Sequence, residues 1–144
     1  MLQKPYDGKN NMQKFAIAAL LLACIWIWPA CSGPQKSIEE EKTLTALSDI
    51  QSNLEASSSY EHFMELLDRA KMEIDLLKRN TNNNSCFISA VDRCYAYYTT
   101  GGKAWKKKLE ATDEALKNDM DLTISVLQSQ AALSIQMANN CYSK

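Results

Sequence analysis

The five cysteines, at positions 24, 31, 86, 94 and 141, are the residues in this 144-residue chain with the most reactive side chains. None forms a Cys-x-x-Cys pair, and His62 is the only histidine, so a dithiol redox centre or a thiolate activated by a neighbouring imidazole is not expected. His62 stands in Glu61-His62-Phe63-Met64-Glu65, which puts Glu65 one helical turn away. Two ligands do not make a catalytic zinc site, and di-iron bundles place the Glu three residues before the His rather than after it. Without Cys-x-x-Cys-His, c-type haem has no attachment point. There is no Gly-rich phosphate loop, nucleophile elbow or Ser/His/Asp set. The sequence therefore predicts no catalytic residues, no metal ligands and no cofactor.

Two charged runs remain. Glu39-Glu40-Glu41 suits the first turn of a helix, where carboxylates meet the positive end of the dipole. Lys103-Ala104-Trp105-Lys106-Lys107-Lys108 is a basic cluster around an aromatic residue and could touch lipid phosphates. Its alternative is a solvated helix face countered by Glu110, Asp113 and Glu114, with Trp105 turned into a core. A net charge of −1 over the whole chain, and −3 over residues 32–144, argues against nucleic acid as a partner.

The N-terminus bears on location. Lys4, Lys9 and Lys14 precede Phe15–Ala30, sixteen residues without a charge, and Cys31-Ser32-Gly33-Pro34 breaks the run. A basic start, an apolar stretch and a small residue before a break have the layout of a secretory signal peptide. As a helix the stretch would reach ~24 Å, short of the ~30 Å hydrocarbon core, so a spanning anchor is the weaker reading. Translation from Met12 would give a more compact signal of the same kind.

With Ala30 before Cys31, the segment resembles bacterial lipoprotein signals, in which such a cysteine is diacylated and becomes the mature N-terminus. Cys24, after Leu21-Leu22-Ala23, is the alternative lipidation site, but it would leave IWIWPAC at the start of the mature chain. Cleavage near Ala30 without lipid is the third possibility. The resemblance implies an exported protein, lipid-anchored to a membrane of the bacterial cell envelope and facing the periplasm or the exterior.

Beyond residue 31, the expected organisation is a polar tether over 32–42 and an all-α domain over 43–144. Leu44, Leu47, Ile50 and Leu54 recur at helical spacing. Ser59 can cap a second helix carrying Tyr60, Phe63, Leu66, Leu67, Ala70, Ile74 and Leu77, which the Asn80–Asn84 run ends. Ser85 would cap a third, carrying Phe87, Ala90, Val91, Cys94, Tyr95 and Tyr98.

Gly101-Gly102 favours a turn, yet Tyr98, Trp105, Leu109, Thr112 and Leu116 keep the same phase. The phase predicts one helix over 86–117, with a hairpin at the glycines as the rival. A turn at Asn118–Asp121 would lead to a last helix over 121–140 through Leu122, Val126, Leu127, Leu133 and Met137. The result is an up-down helical bundle of about four helices. Residues 60–105, with Tyr60-x2-Phe63-x2-Leu66-Leu67 and Tyr98-x6-Trp105, are similar to small secreted helical proteins of bacteria, a likeness that implies no activity.

An oxidising compartment should pair two of the remaining cysteines. Cys86 and Cys94, eight residues apart on one helix, are ~12 Å apart, too far to bridge. A bend near residue 119 would bring Cys141 level with residue 97, which predicts Cys94–Cys141. A Cys86–Cys141 link would mean that the third helix or its bend is misplaced.

From Leu122 to Ser143 no residue is charged. The last helix is therefore either the most enclosed element or a face covered by an envelope protein partner or a second copy. The candidate interaction face comprises Trp105, Lys106, Lys107 and Lys108, with Gln128, Gln130 and Gln136. These features suggest a non-catalytic interaction or structural module. An exclusion or inhibitor lipoprotein with one specific partner is the alternative, and an envelope enzyme is the disfavoured third.

Overall fold

A computed structural model describes residues 35–55, 59–79 and 84–142. The expected signal segment, with Cys24 and Cys31, lies outside them. Among the described residues four helices run in sequence: α1 Ile38–Glu55, α2 Tyr60–Arg79, α3 Ser85–Glu110 and α4 Glu114–Asn140. No strand occurs among the described residues. Contacts join α1 to α2, α2 to α3 and α3 to α4 in turn, and α1 also touches both α3 and α4, as in an up-down-up-down bundle. The all-α bundle expected from the apolar periodicity is the observed fold.

The caps show why each helix starts where it does. Helix α1 begins at Ile38, earlier than the expected Thr43, because Ser37 and Glu40 form a capping box. The Glu40 amide donates to Ser37 Oγ at 3.2 Å, and the Ser37 amide donates to the Glu40 carboxylate at 2.7 Å. Glu39, Glu40 and Glu41 fill the first turn as anticipated. Ser59 Oγ accepts from the His62 amide at 3.2 Å, the expected start of α2. At α3 the cap is Asn84, one residue before the expected Ser85; its side chain accepts from the amides of Cys86 and Phe87.

The core follows the stripes read from the first three helices. Leu47, Ile50, Phe63, Leu67, Ala70, Ile74, Leu77, Phe87, Val91, Cys94 and Tyr98 are all buried. Thr43, also buried, donates to the Glu73 carbonyl at 3.4 Å and ties α1 to α2. Tyr98 reaches from α3 to Gln51 of α1 at 3.1 Å.

Helix α3 passes through Gly101 and Gly102 without a turn, so phase prevails over local propensity. The break comes at 111–113 instead of near 119. Asp113 caps α4 by accepting from the Ala115 amide at 3.1 Å. Asn118–Asp121 lie inside α4, so the turn expected there does not exist, and neither does a third helix extending to 117. A short polar side chain followed by Glu114 makes a better helix start than the Asn118–Asp121 stretch.

Moving the bend moves the disulfide. From residue 112, Cys141 returns level with residue 83 and therefore beside Cys86, not Cys94. The bridge is Cys86–Cys141, with Cα atoms 5.9 Å apart, which corrects the expected Cys94–Cys141 pairing. Cys94 is a free thiol in the core.

Burial pushes the Cys94 thiol up to about 12 from an ordinary 9.0. Between those pH values the folded chain keeps a proton that the unfolded chain has lost. This contribution to stability is complete below pH 9 and disappears as pH rises towards 12. At pH 8 the native protein should leave Cys94 unlabelled by a water-soluble maleimide, and denaturant should expose it. Labelling of the native thiol, located by peptide mass, would show that α3 is misplaced.

Candidate interaction face

The end of the bundle where α1 begins is tightly fastened. Next to the Cys86–Cys141 bridge, Asn84 donates to the Cys141 carbonyl at 3.3 Å. Lys36 Nζ donates to the Asn139 side chain and lies 5.7 Å from the Tyr142 ring centroid. The Tyr142 ring meets Phe87 edge-on at 5.8 Å. Its hydroxyl is buried near Glu40 but outside hydrogen-bond geometry; burial first, then the carboxylate, raises its pKa. These contacts fix both the height and the rotation of α4.

That rotation buries the small residues of α4. Ala131, Ser134 and Ala138 face the core, so the backbone can approach closely. The large residues that mark the period of this helix point the other way. Leu122 is 67% exposed, Val126 51%, Leu133 50% and Met137 46%; Leu127 is partly covered. Helix α4 is thus not the most enclosed element. Its outer face is an apolar stripe along a helix with no charge from Leu122 onward, and no described element covers it.

The other candidate residues are not gathered into one face. Gln130 and Gln136 are exposed and flank the stripe, while Gln128 is on another side of α4. There it helps line a shallow groove of about 220 Å³ with Gln51, Leu54, Tyr98, Ser125 and Ser129. Trp105 packs against Tyr60 at 5.8 Å and Phe63 at 5.5 Å, placing it among core aromatics instead of on a binding surface. Lys106 approaches Glu110 at 4.0 Å and Lys108 pairs with Asp121, whereas Lys107 is exposed. The basic cluster is mostly a solvated helix face.

Helices α3 and α4 have 26 and 27 residues against 18 and 20 in α1 and α2. The longer pair extends ~10 Å further by helical rise. This explains why Leu109 and Leu116, near its tip, remain exposed.

Chemistry-bearing groups do not converge. His62 lies 3.4 Å from Glu65 and 3.1 Å from the Asn53 side chain, in solvent. Among the described residues no three His, Cys, Asp or Glu side chains are grouped to hold a metal ion. The aromatic-lined cavity at Phe63, Tyr97, Tyr98 and Trp105 has about 10 Å³ of space, no more than a water requires. Among the described residues no helix is long and apolar enough to cross a membrane. Comparison with protein-family models, with curated proteins and with solved structures finds no significant match.

Proposed function

We propose that this chain is a non-catalytic, lipid-anchored protein of the bacterial cell envelope whose helical domain acts as an interaction module. The observation that carries the reading is the open apolar face of α4, held in place by the Cys86–Cys141 bridge. A contiguous exposed apolar patch is a hallmark of interaction surfaces, and depletion of charge marks the centre of such contacts. The anchor follows from Phe15–Ala30, the small residue before Cys31 and the polar sequence after it. A bridge between helices suits an oxidising compartment.

Intact-mass analysis of protein extracted from membranes should show an N-terminal Cys31 bearing a diacylglyceryl group. A mature chain starting at Cys31 or Ser32 with no added lipid would overturn the anchor. Chemical cross-linking in whole cells should give discrete adducts that Leu133→Glu abolishes. If the wild-type chain gives no adduct, or the variant gives the same ones, the interaction reading fails.

A further inference from the structure

The four side chains of the α4 stripe are placed symmetrically about the midpoint between Ser129 and Gln130. Leu122 lies as far before that point as Met137 lies after it, and Val126 as far before as Leu133 after. All four are about half exposed or more, on one side of one continuous helix. We propose that this face binds a second copy of the same chain, with the two α4 helices antiparallel across a two-fold axis through that midpoint.

An isologous contact requires a patch to be complementary to itself, so that each residue meets its symmetry mate. Antiparallel pairing about this midpoint sets Leu122 against the partner's Met137 and Val126 against the partner's Leu133, twice over. Between Leu122 and Met137 the stripe positions run 122, 126, 129, 133, 137, steps of four, three, four and four that keep them on one side of the helix. Ser129 at the centre is small enough to allow close approach, and Gln130 and Gln136 border the seam with neutral donors and acceptors.

Charge favours a copy over a different partner. A patch without charge meets itself with neither like-charge repulsion nor a buried unpaired ion, whereas a partner with charged contact residues would find no counter-charge. Antiparallel α4 axes also set opposite dipole ends beside each other. Eight half-exposed apolar side chains with their polar borders would bury roughly 1,000 Å² in total, the size of a small, reversible interface.

This inference rests on the interaction reading above and names the partner of that face. Two differently tagged copies of the full chain, exported together and co-purified in mild detergent, test the register as well as the association. Val126→Lys alone and Leu133→Glu alone should each weaken co-purification of like copies by ~10-fold or more, since each sets two charges against apolar side chains. Mixed together, the two variants should recover association to within ~3-fold of wild type, because the lysine introduced in one copy then faces the glutamate introduced in the other. Both positions are exposed, and unchanged helical circular dichroism with an intact Cys86–Cys141 link verifies folding. If the mixture associates no better than either variant alone, the antiparallel register is wrong. A wild-type chain that is monomeric at every concentration overturns the inference. In whole cells, an adduct of twice the chain's mass supports the copy. An adduct of any other mass, with none at twice, leaves the interaction reading standing and rejects the dimer.

Discussion

Replacing Cys86 and Cys141 together by Ser should lower the unfolding free energy by about 4 kcal/mol, the loop-entropy value for the 55-residue separation of the two cysteines. The bridge spans α3, the bend and α4, so in its absence the unfolded ensemble regains the freedom of both long helices. The native state loses contacts as well. The Asn84 bond to the Cys141 carbonyl and the Tyr142 ring on Phe87 depend on the height at which the bridge holds the end of α4. Chemical denaturation of the double variant, compared with the oxidised chain, measures the loss. Cys94→Ala serves as the control, since it truncates a buried side chain but leaves the bridge in place. Non-reducing peptide mapping should recover the Cys86 peptide linked to the Cys141 peptide. A Cys94–Cys141 link would restore a bend near residue 119 and remove the basis of the exposed α4 stripe.

The first three helices are legible in the sequence because their large apolar residues, such as Leu47, Phe63, Leu67, Phe87 and Val91, are the ones that become buried. In such helices the sequence period and the packing face coincide. Helix α4 breaks that rule. Its inward face is Ala131, Ser134 and Ala138, small residues that give a weak periodic signal, while the large residues that carry the period, Leu122, Val126, Leu133 and Met137, face outward. The missing charge from Leu122 to Ser143 is visible, but enclosure and an open contact face predict the same absence.

The bend is hard to place for a related reason. Asn118–Asp121 is polar enough to suggest a turn, whereas Asp113 with Glu114 behind it is a cap, and capping depends on which side chain can reach back to a free amide. The wrong disulfide partner follows from that displacement of the bend alone. The symmetry of the α4 stripe is present in the spacing throughout, but it acquires meaning only once those four residues are known to face outward.

Adjacent glycines in α3 should respond to the same substitution with opposite signs. Gly101→Ala is expected to stabilise the fold by about 0.5–1 kcal/mol, since alanine is the better helix former and an added Cβ there lies 3.9 Å from Leu127 Cβ, an ordinary contact. At Gly102 the same Cβ would come within 2.9 Å of Phe63 Cε1 and 3.7 Å of Met64 Sδ. The Phe63 ring is buried and held against Trp105, so it cannot swing away as a flexible side-chain end would. Gly102→Ala should therefore destabilise despite its helix propensity, and Gly102→Leu should cost about 3 kcal/mol or more through overpacking. Gly102 is accordingly the place where α2 crosses close to α3, which is why the helix tolerates a glycine pair that local propensity alone would turn into a hairpin. Thermal and denaturant unfolding of the two alanine variants decides the matter. Stabilisation at both positions would mean that α2 stands further from α3 than this packing requires. Destabilisation at both would point to a turn at Gly101-Gly102, with α3 divided there.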